Sequence, residues 1–397
     1  MEELKHIYRN PKGFRSAAIH AGIKTDSTRK DMTLVVSECI AAVAGVFTRN
    51  KVKAAPVKWS TQQVTQKYGR AVVANSGNAN ACTGDTGTRD AQRMAELTAS
   101  LLDLIPEEVS VCSTGCIGVP LPMKPIEEGI NALIPALRQD DTSAPSGILT
   151  SDTREKVATI ELEIDQQHVC ITAMAKGAGM IEPNMATMLC FITTDAALDP
   201  SALQSALTLA TDQSFNRITV DGDMSTNDTV LILANGMAGN QILTTEHPQW
   251  STFTNALNQL TLDLAMQIVE DGEGTSKVIT LEIQGAASDR DADTAARAIA
   301  NSLLVKTAWA GNYPVWGRIM DVLGYADIAL EESRVHIMIG DTVVTKDGLD
   351  AGSSATEVLE ITSQKAYTIA IGLGLGPGTA VVYTTDCTEE YVRLNMV

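Results

Sequence analysis

The feature that most constrains this chain is a glycine-rich segment that leads directly into an apolar one. Residues 176–187 read Lys-Gly-Ala-Gly-Met-Ile-Glu-Pro-Asn-Met-Ala-Thr, and this density of glycine and proline predicts a loop whose backbone can approach a ligand closely. Residues 188–194 are apolar, β-branched and aromatic, which predicts a short buried strand. Thr187 therefore stands at the junction between a loop and a sheet.

The remaining patterns predict a mixed α/β fold. Residues 157–164 and 168–175 alternate apolar and polar side chains, which predicts an antiparallel hairpin leading into Lys176. Hairpins combined with alternating strands and helices favour layered α/β (α+β) packing over a doubly wound parallel sheet. Helical periodicity predicts helices at 89–104, 125–137, 200–215, 253–270 and 289–304. Beyond residue 327, strands are predicted at 335–339, 342–345, 358–361, 367–371, 380–384 and 391–394.

The length and the charge of the chain limit its possible domain organisation and its possible partners. A chain of 397 residues is expected to form two packed units. Its formal net charge of −18 makes nucleic acid an unfavourable partner. No apolar run reaches the roughly 18 residues that a membrane span needs, and the charged start of the chain lacks an apolar signal core. We therefore expect a cytoplasmic protein without a membrane partner.

Three motifs could suggest a metal or nucleotide site, but their residue spacing or structural context does not match the known binding motifs. Cys112 and Cys116 have no second pair at a zinc-binding distance. The polar loop 221–228 has its glycine in the wrong place for calcium and lacks a glutamate at the twelfth position. The glycines of 372–378 are predicted to join two strands and do not open a helix, as a dinucleotide fingerprint would. No metal and no resident cofactor are predicted.

Thr187 could act as a nucleophile if it became the N-terminal residue of a chain. A threonine hydroxyl is a weak nucleophile that needs a base, and the five histidines lie in no recognisable catalytic pattern. A free α-amino group, with an unperturbed pKa of about 7.7–8.0, can serve as that base. A threonine at a loop-to-strand junction is nevertheless most often structural, because strands favour this residue. The surrounding string must decide between the two interpretations.

The string from Lys176 to Leu189 closely resembles the self-cleaving segment of the ornithine acetyltransferase family, the bifunctional glutamate N-acetyltransferases of arginine biosynthesis. The resemblance extends from Pro11 to Asn395. It implies that the protein itself cuts the Ala186–Thr187 bond, giving an alpha chain, 1–186, and a beta chain, 187–397, within one globule. It also implies a heterotetramer of two alpha and two beta chains.

The same resemblance refines the expected fold. It implies sheets sandwiched by helices, similar to the aminopeptidases of the DmpA type, with a strand-rich C-terminal lobe. The cut would fall inside a sheet, so that both fragments stay together. The string Asn75-Ser-Gly-Asn-Ala-Asn-Ala also has a counterpart in the family. From the residues alone, it is equally consistent with a tight loop after a strand and with a loop that lines a site.

The resemblance assigns roles to residues whose local motifs match. Thr187 matches the nucleophile, and Thr114 and Gly115 match the pair that stabilises the oxyanion. Acyl transfer passes through a tetrahedral oxyanion, which preorganised hydroxyl and N–H donors stabilise. Considered alone, the Ser-Thr-Gly string is explained equally well by a turn. Cys116 departs from the aliphatic residue that the family often has at its position.

Further matches point to contacts with the substrate. Lys176 matches a substrate-binding lysine, a residue that without the family would more often be a solvated surface lysine. Thr150, Glu273 and Asn395 match three more contacts, and Glu273 between two glycines suits the ammonium group of ornithine. Alone, that glutamate would indicate an ordinary turn. The family continues for several residues beyond the position of Asn395 to another hydroxyl contact, so we expect weaker substrate binding here.

The resemblance implies ping-pong chemistry. N2-acetylornithine acetylates Thr187 and leaves as ornithine, and glutamate then takes the acetyl group to become N-acetylglutamate. Acetyl-CoA stays open as a second donor, because no residue separates the two behaviours. Two alternatives stay open as well: an aminopeptidase or other hydrolase of the same fold, in which water accepts the acyl group, and a non-catalytic amino-acid-binding protein.

Overall fold

The computed structural model describes residues 4–182 and 188–396. Ala186 and Thr187, the predicted cleavage site and nucleophile, lie outside the described residues. The described chain forms two compact units, as the length predicts. The first contains the residues up to Gly177, those from Met188 to Asn216, and Met224–Ile268; the second contains those from Ala178 to Glu182, Arg217–Asp223, and those from Val269 onward.

A mixed sheet forms the centre of the first unit. Its strands are β1 (Phe14–Ile19), β2 (Met32–Phe47), β3 (Tyr68–Asn78), β4 (Val109–Cys116), β5 (Lys156–Ile164), β6 (Gln167–Lys176), β7 (Leu189–Thr194) and β8 (Thr229–Ala234). Their order is β4-β3-β2-β8-β7-β6-β5, with β1 beside β2. The pairs β3–β4 and β7–β8 are parallel, and the other pairs are antiparallel. The predicted hairpin is confirmed as β5–β6, and the predicted strand after residue 187 is confirmed as β7.

Helices accompany this sheet, and both of its faces are buried. The helices that begin in the first unit are α1 (Ala55–Val64), α2 (Gly84–Leu102), α3 (Met123–Ala136), α4 (Pro200–Gln213) and α5 (Trp250–Glu270). Along β2, Leu34 packs with Ile126 and Ile130 of α3, whereas Val35 belongs to a separate core with Phe191 and Leu231. Neighbouring strand residues point to opposite faces, so apolar cores cover both faces of the sheet.

The second unit has its own sheet and helices. Its strands are β9 (Val278–Ala286), β10 (His336–Ile339), β11 (Thr342–Lys346), β12 (Leu349–Asp350), β13 (Ala366–Gly372) and β14 (Gly378–Thr385), in the order β12-β11-β10-β13-β9-β14. Its helices are α6 (Asp289–Asn301), α7 (Leu303–Ala310), α8 (Trp316–Tyr325), α9 (Ala355–Thr362) and α10 (Glu389–Leu394). Ile279, Leu281 and Ile283 of β9 share a buried core with Trp309 of α7. The expected α/β class of layered sheets and helices is confirmed.

Two strands predicted near the C-terminus are wrong. Residues 358–361 lie in α9 and residues 391–394 lie in α10. Each helix begins with a capping side chain: Ser354 accepts a hydrogen bond from Glu357 N, and Thr388 accepts one from Glu390 N. A capped amide satisfies a backbone donor that a helix start otherwise leaves without a partner. The caps therefore favour helix over strand for these short apolar runs, whose periodicity is ambiguous.

The sheet of the first unit brings together strands from both sides of the predicted cleavage bond. Lys176 at the end of β6 is the register partner of Leu189 at the start of β7. Leu189 is in turn the partner of Thr229 on β8. Strands of both predicted fragments, 1–186 and 187–397, are thus hydrogen-bonded to one another, while the cleavage itself stays a prediction. Within the described ranges, no helix combines the length and apolar character needed to cross a membrane.

Candidate active site

Thr114 and Gly115 occupy an irregular end of β4. Thr114 is 3% exposed. Gly115 has a φ of +131°, and a Cβ atom placed on it would lie 2.3 Å from the carbonyl carbon of Gly77 on β3, so only glycine fits. Asn78 is the register partner of both Thr114 and Cys116, which is the pattern of a β-bulge. Such bulges often redirect a side chain beside an active site.

Asparagine side chains fix the surroundings of this bulge. The Ser113 hydroxyl donates to Asn75 Oδ1 at 2.6 Å, and Asn227 Nδ2 donates to the carbonyl oxygens of Ser113 and Ala79 at 2.8 and 2.6 Å. Asn78 Nδ2 donates to the Val119 carbonyl oxygen at 3.1 Å. Most of these amide groups satisfy buried backbone acceptors, so the asparagine-rich string supports the loops around Thr114. Asn227 was not identified from the sequence.

Lys176 is a buried residue, so the alternative of a solvated surface lysine is wrong. It is 2% exposed at the end of β6, and its Nζ donates to Thr114 Oγ1 at 3.4 Å. β4 and β6 are not neighbours in the sheet, yet the two predicted site residues meet. A hydroxyl that accepts a hydrogen bond from an amine becomes a stronger donor through its own proton. This arrangement suits a group that must stabilise an oxyanion.

Asp152 connects Thr150 to the segment that carries Lys176. One carboxylate oxygen accepts from Thr150 N at 2.8 Å, and the other accepts from Gly177 N at 2.8 Å and from Lys156 Nζ at 2.7 Å. Burial raises the pKa of Asp152, but the Lys176 and Lys156 charges and these hydrogen bonds outweigh it and hold the pKa below its usual range. Asp152 was not identified from the sequence, where its only signal is its position two residues after Thr150.

We expect Asp152→Asn to destabilise the first unit. The side chains of Asp152 and Lys156 are both fully buried, and removing one partner of a buried ion pair typically costs about 3–5 kcal/mol. Because the pKa of Asp152 is depressed, its contribution is present above the unfolded value of about 3.9 and is lost as the pH falls through the folded value. Urea unfolding at neutral pH measures the difference in stability.

The matched control for this prediction is Asp140→Asn. Asp140 is an exposed aspartate of the same unit, and its substitution is expected to change stability by less than about 0.5 kcal/mol. Equal urea midpoints for the Asp152 and Asp140 variants would contradict the assigned role of the buried pair.

In the second unit, Glu273 and Asn395 are in contact. Asn395 Nδ2 donates to Glu273 Oε2 at 2.9 Å, although 122 residues separate the two in the chain. A Cβ atom on Gly179 would lie 2.5 Å from the Glu273 carboxyl carbon, so this glycine of the loop permits the carboxylate to approach. Glu273 N also donates to the Ala178 carbonyl oxygen at 2.8 Å. The glycine-rich segment and the predicted ammonium-binding glutamate therefore meet within this unit.

Asp221 anchors the same stretch of the glycine-rich segment. Its carboxylate accepts from Met180 N at 2.6 Å and from Ile181 N at 2.8 Å. Tyr391 of α10 donates its hydroxyl to the carboxylate at 3.3 Å. Burial raises the pKa of Asp221, although the hydrogen bonds from the backbone act in the opposite direction. The sequence placed this residue only in a rejected calcium loop, and its carboxylate instead holds backbone N–H groups.

Within each unit, the structure thus brings predicted site residues together. In the first unit, Thr114 contacts Lys176, and Asp152 links Thr150 to the neighbour of Lys176. In the second unit, Glu273 contacts Asn395. In the part of the chain that the structure describes, no group of three or more His, Cys, Asp or Glu side chains is arranged to hold a metal ion. The side chains of these predicted site residues offer hydroxyl, amine, amide and carboxylate groups.

Comparisons with known proteins identify the family. The model of the ArgJ family matches residues 15–397. The arginine biosynthesis bifunctional protein ArgJ of Geobacter sulfurreducens is 46% identical over 97% of this chain and 98% of its own length. That of Symbiobacterium thermophilum is 45% identical over 100% and 99%.

A solved structure agrees with these matches. The crystal structure of arginine biosynthesis bifunctional protein ArgJ from Bacillus halodurans matches with a TM-score of 0.50 and 43% identity, covering 52% of this chain and 97% of the solved chain. The family expected from the Lys176–Leu189 string is thereby confirmed, and the chain belongs to the ArgJ family of arginine biosynthesis proteins.

Proposed function

We propose that this acetyltransferase of arginine biosynthesis moves the acetyl group of N2-acetylornithine to glutamate through an acetyl ester on Thr187, after cutting its own Ala186–Thr187 bond. The contact between Lys176 Nζ and Thr114 Oγ1 at 3.4 Å carries this proposal within the structure. Lys176 begins the segment that leads to Thr187, the proposed nucleophile. Thr114 carries the hydroxyl to which the family resemblance assigns stabilisation of the oxyanion. Membership of the ArgJ family supports the reaction class.

The match with the solved relative supports a two-chain enzyme. That solved chain is covered over 97% of its length but corresponds to only 52% of this chain, so it is about half as long. A relative that occurs as a half-length chain is expected if the family cuts itself near the middle. We therefore assign residues 1–186 to an alpha chain and residues 187–397 to a beta chain. The resemblance to the ornithine acetyltransferase family supports a heterotetramer of two copies of each.

In the proposed transfer, the Thr187 hydroxyl attacks the acetyl carbonyl carbon while its proton passes to the α-amine of the same residue. The Thr114 hydroxyl and the Gly115 N–H stabilise the resulting oxyanion. When the oxyanion collapses, the carbon–nitrogen bond to ornithine breaks and the leaving nitrogen takes the proton from the α-ammonium. Acetyl-Thr187 and ornithine remain. Glutamate then repeats the sequence in reverse through its own amino group.

The other predicted residues are assigned to substrate binding. The Lys176 amine and the Thr150 hydroxyl suit a carboxylate, because cationic and hydroxyl donors form strong hydrogen bonds with it. The Glu273 carboxylate suits the side-chain ammonium of ornithine, and Asn395 orients that carboxylate through its 2.9 Å hydrogen bond. No resident cofactor takes part in this scheme, and acetyl-CoA is an alternative acetyl donor in place of N2-acetylornithine.

An acetyl-transfer assay with and without glutamate tests the proposal. N2-acetylornithine labelled in its acetyl group should yield labelled N-acetylglutamate and an equal amount of ornithine only when glutamate is present. Release of labelled acetate at the same rate with and without glutamate would instead identify a hydrolase. Recovery of the N2-acetylornithine unchanged would identify a binding protein. A denaturing gel accompanies the assay, since a cut after residue 186 of 397 divides the chain into two fragments of nearly equal mass.

A further inference from the structure

The segment between β1 and β2 carries Lys24, a half-buried lysine to which the proposed reaction gives no role. The carboxylate of Asp31, at the end of this segment, is 0% exposed. It accepts hydrogen bonds from the backbone N–H groups of residues 21–24, at 2.6, 3.1, 2.7 and 3.0 Å. The backbone that carries Lys24 is therefore fixed in the structure without a ligand, which lowers the entropic cost of binding one.

The side chain of Lys24 lies between two parts of the candidate active site. Its stem passes Gly77, because a Cβ atom placed on that glycine would lie 3.1 Å from Lys24 Cγ. Gly77 is the register partner of Gly115, the glycine of the proposed oxyanion pair. At its other end, Lys24 Nζ donates to the Leu149 carbonyl oxygen at 2.6 Å. Leu149 directly precedes Thr150, a predicted substrate contact, so Lys24 reaches from the bulge of β4 to that contact.

The hydrogen bonds of the Lys24 ammonium group leave one of its donors for a ligand. An ammonium group carries three N–H donors. In the described part of the chain, it donates to two carbonyl oxygens, those of Lys30 at 2.9 Å and Leu149 at 2.6 Å. Both acceptors are neutral, and a cation donates its strongest hydrogen bonds to carboxylate or phosphate oxygens. The third donor therefore suits an anionic group of a ligand.

Lys24 lies close enough to Lys176 and Asp152 for their charges to change its pKa. Burial and the charge of Arg29 lower the pKa of Lys24 to about 8, and the charge of Lys176 acts in the same direction. The charges of Asp31 and Asp152 oppose this shift. The ammonium form still predominates at neutral pH, and a bound carboxylate would stabilise it further.

The two amino-acid substrates of the proposed reaction differ in the charge of their side chains. Ornithine ends in an ammonium group, for which Glu273 is the proposed partner. Glutamate ends in a carboxylate, which a glutamate side chain of the protein would repel. Its α-carboxylate already takes one cation, the proposed Lys176. The acceptor therefore needs a second cation, and Lys24 is placed to supply it.

We propose that Lys24 binds the side-chain carboxylate of glutamate and thereby selects the acetyl acceptor. This inference rests on the proposed function and deepens it by naming a residue that determines acceptor specificity. Three observations carry it: the course of the side chain from Gly77 to Leu149, the ammonium donor without a described acceptor, and the backbone fixed by Asp31. N2-acetylornithine does not use Lys24 in this scheme, so the two halves of the reaction depend on it differently.

Exchange and transfer assays of the processed enzyme measure the two halves separately. Exchange of labelled ornithine into N2-acetylornithine uses only the ornithine half, whereas transfer to glutamate, or to the uncharged glutamine, uses the acceptor half as well. We expect Lys24→Met to lower the ratio of kcat/KM for glutamate to that for glutamine by about ten- to a hundredfold, because it removes one hydrogen bond to a charged group. Ornithine exchange should stay within about twofold of the wild type. Lys24→Arg keeps a charged donor and should restore most of the preference.

Lys30→Met is the matched control. Lys30 is a half-buried lysine of the same segment, and its charge acts on Glu155. The substitution removes the same charge from the same segment but keeps the Lys30 carbonyl oxygen that accepts from Lys24 Nζ. The ratio for glutamate over glutamine should therefore match that of the wild type.

The possible outcomes are distinguishable. An unchanged ratio in Lys24→Met, or an equal loss in Lys30→Met, overturns the specificity role and leaves the proposed function intact, as does a wild-type enzyme that does not distinguish glutamate from glutamine. A wild-type enzyme with neither exchange nor transfer removes the proposed function and this inference with it. If Lys24→Met does not fold, as judged by circular dichroism, Lys24→Gln takes its place. Loss of ornithine exchange in a folded Lys24 variant also overturns the specificity role.

Discussion

Replacing Thr187 with alanine is expected to leave the chain in one piece and to remove acetyl transfer completely. The same hydroxyl is proposed to attack twice, first the Ala186 carbonyl carbon and later the acetyl group of the substrate. Alanine lacks that oxygen, so neither ester can form. Intact-mass measurement of the purified variant should show a single full-length chain, and the transfer assay should show no ornithine release above background.

Thr187→Ser is the control for this prediction, since serine keeps a hydroxyl on the same carbon. It should still cleave and transfer, at reduced rates. Two fragments from the alanine variant, the first of them ending at Ala186, would show that another group cuts the chain and would remove Thr187 from the cleavage mechanism. An intact alanine variant with full transfer activity would separate the two roles and would contradict the acetyl-Thr187 intermediate.

Thr114→Ala is expected to lower kcat by about a hundred- to a thousandfold, the usual effect of removing one oxyanion donor. As a proposed oxyanion donor, the hydroxyl would act mainly on charge that develops in the transition state, so KM should change much less. The Thr114 hydroxyl also accepts a hydrogen bond from Lys176 Nζ, and its loss leaves that amine one acceptor fewer. Steady-state rates of ornithine release from the processed variant measure both constants.

Thr114→Ser retains the hydroxyl and should keep kcat within about tenfold of the wild type. Thermal unfolding of both variants distinguishes a catalytic effect from a folding defect, because Thr114 is buried beside the β-bulge. An alanine variant with unchanged kcat would exclude Thr114 from the oxyanion site. An increase in KM alone would instead assign this side chain to substrate binding.

Local patterns predicted the elements whose side chains repeat regularly. The β5–β6 hairpin and strand β7 follow directly from alternating or continuous apolar residues. Helices α9 and α10 were predicted as strands, because their apolar runs are short and period alone cannot separate the two states. Their start signals, the capping residues Ser354 and Thr388, are present in the sequence.

The candidate site was predictable only in part, since its contacts join distant segments. The resemblance of local motifs to the family identified Lys176 and Thr114. The hydrogen bond between them joins β4 and β6, which are not neighbours in the sheet, and no local motif predicts it. Asp152 is a single aspartate in a polar loop and carries no spacing signal. Its importance lies in burial and in the backbone N–H groups from which it accepts hydrogen bonds, which only the folded chain reveals.

The order of strands in the first unit has a thermodynamic consequence for the processed protein. Strands β7 and β8 come from the proposed beta chain, yet they lie between β2 and β6 of the proposed alpha chain. After the proposed cut, unfolding of this sheet would separate two molecules, so its melting temperature would depend on protein concentration, as for any obligate complex. The precursor would fold with all its strands on one chain, whereas denatured fragments would first have to find each other in solution. The proposed self-cleavage would therefore convert an intramolecular folding reaction into a bimolecular one, and the cleaved protein would retain a sheet that was assembled before the cut.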